Sequence, residues 1–596
     1  MSYRAPVKDM LFALRHLAEY ESRSALPGYA DADFETAQAI VEECAKLCET
    51  VVAPLNPIGD KNPSTWSHGE VTTPPGFKAA YRQYSKGGWQ SLQHPAEFGG
   101  QAMPKTLATV CMEIVNSANL SFALCPLLTD GATEALLTAA SAEVKQRYLP
   151  KMISGEWTGS MNLTEPQAGS DLELVRTRAE PQPDGTYRVF GTKIFITYGE
   201  HDMADNIVHL VLARVPSAPP GVKGISLFVV PKYLVNDDGS IGARNDVHCV
   251  SIEHKLGIKA SPTAVLQYGD HGGAIGHIVG AENHGLEYMF VMMNAARFAV
   301  GVQGIAVAER AYQQALGYAR ERIQSRPVDG SSSRAVPIIQ HPDVKRMLMT
   351  MRALTEGCRG LAYSAAAWFD SMHGDPDEET RRRSQSRYEF LVPLIKGFAT
   401  EMSVEVASLG IQVHGGMGFI EETGAAQHLR DARILTIYEG TTAIQANDLV
   451  GRKTLRDGGE VAREIAALIA QTEFALRACN DENASVFADR LGAARLAFLD
   501  VVKFVCANTK SAPNAVFSGS VPYLFLGGIL VSGWQLGRSM LTALKCKAEG
   551  TDPDFMQSKI LIARFFAEHI LTRTAGLRES ILFGGKVVGE MPAELL

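Results

Sequence analysis

A single acidic residue, Glu439, stands in a segment whose composition could support proton-transfer chemistry. The segment reads Leu435-Thr-Ile-Tyr-Glu-Gly-Thr-Thr-Ala-Ile-Gln445. Its apolar residues before Glu439 predict a desolvated carboxylate, whose raised pKa suits a general base. Gly440 lets a substrate approach the backbone closely, and Thr441 or Thr442 could cap a following helix. The competing interpretation is an acidic residue placed near a helix N-terminus for its favourable interaction with the helix dipole.

Two further polar segments could contact a bound heterocycle. Thr164-Glu-Pro-Gln-Ala-Gly-Ser-Asp171 predicts a tight loop whose amides and hydroxyls could satisfy polar ring atoms. Lys193-Ile-Phe-Ile-Thr-Tyr-Gly199 ends a predicted strand with an aromatic residue and a threonine. The alternatives are a structural turn for the first segment and ordinary strand core for the second.

Composition and charge exclude several classes of function. The net charge of −8 without a basic block gives no reason to expect a nucleic-acid partner. The nine cysteines have irregular spacing, and Cys44 and Cys48 lack a second pair or nearby histidines, so we expect neither a disulfide framework nor a metal site. The N-terminus lacks a secretory signal, and the apolar stretch 521–534 is too short for stable membrane insertion. We therefore expect a cytoplasmic protein.

The periodicity of apolar residues changes along the chain and predicts an α+β multidomain protein. A helical period predicts an N-terminal helical domain over 1–158, and a period of two predicts a β-domain over 159–282. Helical periodicity returns over 283–455, the domain that contains Glu439, and continues in a C-terminal extension over 456–596. Within 283–455, the composition of the stretch 326–333 predicts a surface loop.

Taken together, these segments resemble the signatures of the acyl-CoA dehydrogenase family. The resemblance extends to further segments in the same order along the chain: His254-Lys-Leu-Gly-Ile-Lys-Ala-Ser-Pro-Thr263, Arg297, Glu321-Arg322, Gln340-His341, Gln412-Val-His-Gly-Gly-Met-Gly418 and Arg430-Asp431. The resemblance covers the residues from about 30 to 450. The extension resembles that of a long subfamily including 3-methylmercaptopropionyl-CoA dehydrogenases and some bacterial fatty acyl-CoA dehydrogenases. The family fold implies that the central domain is a β-barrel and the third a four-helix bundle.

The resemblance also implies a cofactor and a set of site residues. It implies non-covalently bound FAD, with no Rossmann unit, and Glu439 as the catalytic base. The residues that match family contacts to FAD are Met161, Leu163, Thr164, Phe195, Thr197, Arg322, Gln324, Gln412, Gly416 and Thr441, some of them across a subunit interface. The residues that match contacts to acyl-CoA are Ser170, Asn294, Arg297 and Gly440.

The implied reaction is dehydrogenation of an acyl-CoA thioester to trans-2-enoyl-CoA, with electrons passing to electron-transferring flavoprotein. Ala123 and Leu127 match positions that close the acyl pocket, which favours medium- or long-chain substrates. The alternatives are a 3-methylmercaptopropionyl-CoA dehydrogenase, an acyl-CoA oxidase that uses oxygen, and a catalytically inactive acyl-CoA-binding homologue. The extension carries no family signature, and its apolar stripes predict a helical domain that enlarges a homodimer interface.

Some positions depart from the family pattern. Phe195 replaces the usual tryptophan, Tyr198 stands where asparagine is common, and Asn294 replaces an aspartate. Gln324-Ser325-Arg326 also lacks the aromatic residue that packs against a neighbouring flavin in the family. These departures leave the roles of Asn294 and of 324–326 open.

Overall fold

The computed structural model describes residues 3–29 and 31–596, except for the side chains of Val291 and Met292. Met1 and Ser2 begin the stretch that was predicted to lack a secretory signal, and they lie outside the described residues. The described chain has a helical block, a β-domain, a bundle of long helices and a further helical block, in that order. The fold class predicted from the sequence is confirmed.

The N-terminal block contains α-helices of 5 to 20 residues and a short hairpin. The helices are α1 Val7–Phe12, α2 Tyr20–Ser24, α3 Phe34–Leu47, α4 Leu55–Lys61, α5 Phe77–Lys86, α6 Lys105–Ala118, α7 Leu120–Ala139 and α8 Ala142–Ile153. The hairpin pairs β1 Thr65–Ser67 with β2 Glu70–Thr72. Its turn residues His68 and Gly69 both have positive φ, at 50° and 85°, the combination that tight hairpin turns require. The helical pattern expected over 1–158 is therefore interrupted here.

The β-domain is built around one mostly antiparallel sheet of eight strands. Its strands are β3 Trp157–Asn162, β4 Arg178–Pro181, β5 Tyr187–Thr197, β6 Asn206–Ala213, β7 Ser226–Pro231, β10 Val247–Ile252, β11 Thr263–Tyr268 and β12 Ala274–Ile278, and a separate pair joins β8 Tyr233–Val235 to β9 Ile241–Arg244. The strand order is β10-β11-β5-β12-β7-β6-β3, and β4 pairs with β5. Every residue of β6 is buried, which explains its continuous apolar run.

Three long helices form the bundle that follows the β-domain. They are α9 Gly285–Glu321, α10 Pro342–Gly374 and α11 Glu378–His414, followed by the shorter α12 Ala425–Leu435 and α13 Thr442–Asp448. Glycines of α9 allow close packing on α11, because a Cβ at Gly301 would lie 2.4 Å from Ile395 and one at Gly304 would lie 2.5 Å from Ala399. Since both contacts advance in the same direction, α9 and α11 run parallel.

The C-terminal extension packs on this bundle with its own apolar helices. These are α14 Glu460–Arg477, α15 Glu482–Asn508, α16 Pro513–Ser518, α17 Ser520–Ala548, α18 Pro553–Phe566, α19 Arg573–Phe583 and α20 Gly585–Glu590. The α17 helix contacts α11 so closely that a Cβ at Gly528 would lie 2.2 Å from Phe398. One hydrophobic core joins the extension to the bundle and the N-terminal helices. Much of the apolar surface of the extension is therefore covered within the chain.

Apolar helices in the described chain are mostly buried. The stretch 521–534, considered above for membrane insertion, lies in α17 and is largely buried. By length and hydropathy alone, α7 and α9 could cross a membrane, but 83% and 75% of their apolar windows are buried inside the fold. Core helices of globular proteins have this property.

Candidate active site

Glu439 lies in a turn between α12 and α13 whose backbone is in the left-handed region. Its φ is 54°, and that of Gly440 is 85°. A non-glycine residue with positive φ is strained, and such residues concentrate at functional sites. Thr441 ends the turn as the N-cap of α13, because its Oγ1 accepts a hydrogen bond of 3.3 Å from the Ile444 amide. The capping role predicted for Thr441 is thus observed.

Two side chains hold the carbonyl groups of this turn. The Lys396 ammonium donates a hydrogen bond of 2.6 Å from Nζ to the carbonyl oxygen of Gly440. The Gln445 amide lies 3.3 Å from the carbonyl oxygens of both Glu439 and Gly440. A Cβ on Gly440 would approach Gln445 Nε2 to 2.9 Å. Lys396 and Gln445 therefore fix the turn. Glycine suits position 440, because it tolerates the positive φ and leaves room for the Gln445 side chain.

The surroundings of Glu439 favour its neutral form relative to an exposed carboxyl. Burial raises the pKa of the half-buried Glu439 above its usual value of 4.5, and the positive charges of Arg297 and Lys396 oppose that rise. The direction agrees with the sequence-based expectation, although the assumed cause is only partly correct. Ile437, one of the apolar residues before Glu439, is 46% exposed and so adds little to the burial of that carboxyl.

Arg297 of α9 is buried beside the same turn and keeps part of its hydrogen-bonding capacity unused. Its guanidinium is 3.9 Å from an Asp448 carboxylate oxygen. Among the described residues, Arg297 Nε has no hydrogen-bond partner although it is buried. Asn294, the preceding substrate candidate, is half-buried one turn earlier on α9. Asn294 and Arg297 thus place polar side chains in the N-terminal half of α9.

A chain of hydrogen bonds links the Glu439 turn to a small cavity. The Tyr438 hydroxyl donates to Gln303 Oε1, and Gln303 Nε2 lies 3.1 Å from Asn116 Oδ1. Asn116 lines a cavity of about 40 Å³ between helices of the N-terminal block. Ala123 and Leu127 also line it, together with Trp89, Met112, Gln90, Gln93 and Asp130. The two residues expected in the acyl pocket thus share a cavity that is connected to the residue beside Glu439.

The structure brings the two polar segments of the β-domain side by side. The Ile194 amide donates a hydrogen bond of 2.9 Å to the carbonyl oxygen of Thr164, and Lys193 Nζ donates one of 3.0 Å to that of Leu163. Met161 is buried and Leu163, Thr164 and Thr197 are half-buried, whereas the Phe195 ring is 59% exposed. Phe195 also has a positive φ of 60°. An exposed aromatic ring on strained backbone beside this strand end fits a planar ring system such as a flavin.

Glu165, within the first segment, stabilises the loop. It accepts hydrogen bonds from Lys193 Nζ at 2.8 Å and from the amides of Arg176 and Thr177 at 2.8 and 3.0 Å. Burial alone would raise its pKa, but these partners outweigh burial and lower the pKa to about 2. Ser170 stays exposed in the same loop. The loop is therefore a well-fastened structural turn that leaves Ser170 accessible.

Both halves of the site attach to the junction of α6 and α7. The buried Tyr198 hydroxyl donates a hydrogen bond of 2.7 Å to the carbonyl oxygen of Ser121, and Asn116 binds the Tyr438–Gln303 chain described above. Tyr198, which departs from the family pattern, thus has a structural role. Because Asn116 and Ser121 are only five residues apart, the junction of α6 and α7 links the strand end that contains Phe195 to the Glu439 turn.

The remaining predicted cofactor contacts lie at the other end of the bundle. Arg322, Gln324, Gln412 and Gly416 are all exposed. They share this end because Tyr318 of α9 stacks on His414 of α11 with ring centroids 4.5 Å apart. Arg297 and Arg322 are separated along α9 by about 37 Å at a helical rise of about 1.5 Å per residue. Thr441, in the turn beside Arg297, therefore lies far along the bundle from these four exposed residues.

Lys396, Gln303 and Gln445 contribute to the site but were not singled out from the sequence. Of these, only Lys396 carried a usable signal, since it is a lone lysine in the apolar run Leu391-Val-Pro-Leu-Ile-Lys-Gly-Phe398. A lysine in such a run is seldom buried without a reason. The two glutamines have no distinctive sequence context.

Family models for acyl-CoA dehydrogenases match most of the chain. The N-terminal domain matches 34–156, the middle domain 160–270 and the C-terminal domain 283–454. A fourth model, described as acetyl-CoA dehydrogenase C-terminal like, matches 461–592. Together the models account for all four blocks of the fold.

Individual proteins and solved structures agree with these models. A 3-methylmercaptopropionyl-CoA dehydrogenase of Ruegeria pomeroyi is 57% identical over 96% of both chains. The broad-specificity linear acyl-CoA dehydrogenase FadE5 of Mycobacterium tuberculosis is 33% identical over 97% of both. An acyl-CoA dehydrogenase of Bacillus anthracis, solved in complex with FAD, has the same fold with a TM-score of 0.74 at 21% identity, over 96% of this chain and 91% of that one. The chain therefore belongs to the acyl-CoA dehydrogenase family, which confirms the expected flavin-dependent enzyme class and FAD as its cofactor.

Proposed function

We propose that Glu439 is the base that removes the α-proton of an acyl-CoA thioester. The observation that carries this proposal is the turn fixed by Lys396, whose Glu439 carboxylate has a raised pKa and experiences the charges of two buried cations, Arg297 and Lys396. The backbone N–H of Glu439 would donate a hydrogen bond to the thioester oxygen and stabilise the developing negative charge, as preorganised donors do in water-poor sites. FAD, when bound, supplies the acceptor for the β-hydride.

The residues that hold FAD are proposed as two groups, in line with their separation in the structure. Met161, Leu163, Thr164, Phe195, Thr197 and Thr441 would contact the flavin of their own protomer. Arg322, Gln324, Gln412 and Gly416 would contact the adenine and pyrophosphate of a partner's FAD, because Arg322 lies about 37 Å along α9 from Arg297, which is beside the Glu439 turn. The absence of atoms within 4 Å of a Cβ at Gly416 leaves space for such a contact.

This arrangement supports a homodimer. Large apolar side chains are exposed at the same end of the bundle as Arg322, including Phe419 at 86%, Val328 at 83%, Ile323 at 57% and Met417 at 48%. Exposed apolar groups in one region commonly mark an interface. Because the extension covers one face of the bundle, we propose that it limits assembly to a dimer. Light scattering should give about twice the 64.5 kDa monomer mass, and a tetramer would contradict the proposal.

For the acyl group we favour a short chain, with 3-methylmercaptopropionyl-CoA as the first candidate. The cavity that contains Ala123 and Leu127 is also lined by Gln90, Gln93 and Asp130. Asp130 accepts hydrogen bonds from Gln90 and Gln93, so part of the cavity wall is polar. The 57% identical relative is named for this substrate, whereas the name of FadE5 indicates broad specificity for linear acyl groups at 33% identity. Ser170, Asn294, Arg297 and Gly440 are the proposed contacts to acyl-CoA.

A series of acyl-CoA substrates tests this choice. We expect the highest kcat/KM for 3-methylmercaptopropionyl-CoA and butyryl-CoA, with a decline for longer acyl chains, because their added methylenes would meet the polar part of the cavity wall. Ala123→Leu should reduce kcat/KM for the longest active substrate first. Equal or greater activity on palmitoyl-CoA would support the medium- or long-chain alternative.

The electron acceptor is proposed to be electron-transferring flavoprotein, and the location the cytoplasm. All nine cysteines are free in the structure, as in proteins of reducing compartments. Stoichiometric hydrogen peroxide release during turnover in air would instead identify an oxidase. The non-catalytic alternative would be supported by either of two results. The purified protein would lack flavin, or acyl-CoA would fail to bleach the flavin that it contains.

A further inference from the structure

Lys396 is a buried cation with few partners next to the proposed base. Its side chain is fully buried at 0% exposure. Its one hydrogen bond goes to the carbonyl oxygen of Gly440, and no carboxylate of the described residues lies within 4 Å of its Nζ. Burying an ammonium group without an ion pair costs several kcal/mol, so such groups are retained where they serve a purpose. This isolation needs an explanation beyond packing.

The single partner of Lys396 is the carbonyl group that follows Glu439. Both Glu439 and Gly440 have positive φ, so the turn needs external contacts to persist. Lys396 holds the Gly440 carbonyl from α11, and Gln445 holds the same carbonyl from α13 at 3.3 Å. The direction of the Glu439 carboxylate and of its backbone N–H both depend on this turn.

Charge is the second property that Lys396 brings to the turn. Glu439 experiences the positive charges of Arg297 on α9 and Lys396 on α11. Lys396 in turn experiences Glu439, Arg297 and the half-buried Glu401 of its own helix. Arg297 also faces Asp448 and Arg452, so part of its charge is balanced by α13. Lys396, by contrast, has no such close partner and acts on Glu439.

We propose that Lys396 is a positioning residue that fixes the Glu439–Gly440 turn and stabilises the ionised Glu439 carboxylate by its charge. The inference rests on the proposed role of Glu439 as base. Because a positive charge favours the carboxylate, removing it raises the Glu439 pKa. The base must be ionised to act, so the acid limb of the rate profile then moves to higher pH.

Two substitutions separate the charge from the hydrogen bond. Lys396→Gln removes the charge but retains an N–H donor, and Gln445→Leu removes the other donor while leaving the charge. Flavin reduction is followed in single-turnover mixing with butyryl-CoA between pH 5 and pH 9, using the purified holoenzyme. FAD content and thermal midpoint are measured for every variant. Lys396→Met provides the same loss of charge if the glutamine variant does not fold.

For Lys396→Gln we expect the acid limb to move upward by about one pH unit, as removal of a nearby charge commonly produces. Gln445→Leu should slow reduction by about tenfold, as loss of a positioning contact can, without moving the acid limb. An unchanged acid limb in folded Lys396→Gln or Lys396→Met would overturn the inference. If Glu439→Gln still reduced its flavin normally, the proposed base would fail first, and the two failures are thus distinguishable.

Discussion

Two lysines of this enzyme are equally buried but differ in their partners. Lys193 in the β-domain and Lys396 in the bundle are both 0% exposed, and burial lowers the pKa of each to about 8. Lys193 forms an ion pair of 2.8 Å with Glu165 and a second hydrogen bond to Leu163. Lys396 contacts one neutral carbonyl group beside Glu439.

The difference separates a structural charge from a functional one. The Lys193–Glu165 pair ties two backbone segments together, and its charges neutralise each other. Lys396 leaves its charge available to the turn that holds the proposed base. Burial and a shifted pKa are therefore insufficient to identify a catalytic neighbourhood. The number of partners around each charge distinguishes the two cases.

The largest expected effect is a loss of stability when the Lys193–Glu165 ion pair is broken. Lys193→Met should lower the free energy of unfolding by about 3–5 kcal/mol, because Glu165 would remain buried without its counter-charge. Lys396→Met should lower it by less than about 1 kcal/mol, since no ion pair is broken and an apolar chain fills the same space. Thermal midpoints of the two holoenzymes provide the measurement. Equal losses of stability would remove the distinction between the two lysines.

A smaller effect, on kcat, is expected from a substitution in the Glu439–Gly440 turn, which Lys396 contacts. Gly440→Ala places an L-residue at a φ of 85° and a Cβ 2.9 Å from Gln445 Nε2. A strain of about 1–3 kcal/mol at this position should lower kcat by about tenfold or more while FAD content stays unchanged. Gly451→Ala is the matched control, because a Cβ there meets no atom within 4 Å. Similar kcat values for the two variants would show that the turn geometry does not matter.

The smallest expected effect concerns the exposed end of the bundle. Arg322→Ala should weaken FAD binding by about tenfold, since an exposed guanidinium contributes modestly to charge-assisted hydrogen bonds. Flavin reduction in the molecules that keep FAD should be nearly unchanged. Arg346→Ala, an exposed arginine paired with Asp343 at 2.8 Å, is the control. Full flavin content of the Arg322 variant after extensive dialysis would refute its cofactor role.

Local patterns were sufficient to predict much of the fold. The β-domain over 159–282, the return of helices after 283 and the cap at Thr441 follow from periodicity and side-chain chemistry over a few residues. The β1–β2 hairpin was missed, because its three-residue strands are too short for a clear alternation. The apolar residues before Glu439 were expected to desolvate it, but Ile437 among them is 46% exposed.

Contacts between distant segments could not be predicted in the same way. Lys396 meets Gly440 only because α11 packs against the turn after α12, and Gln303 meets Tyr438 only through the packing of α9. The resemblance to a family supplied Glu439 and the cofactor but gave no geometry. The closeness of Arg322 and Gln412 at one end of the bundle emerged only from the parallel packing of α9 and α11.

The central claim is that Glu439 removes the α-proton, and anaerobic mixing of Glu439→Gln holoenzyme with 3-methylmercaptopropionyl-CoA tests it most directly. The glutamine keeps the shape of the turn and its backbone donor but cannot accept the proton. We predict normal FAD content and acyl-CoA binding, with bleaching of the flavin slowed by about 10²–10⁴-fold or more, as removal of a general base produces. Bleaching at a rate close to that of the unaltered enzyme would contradict the account.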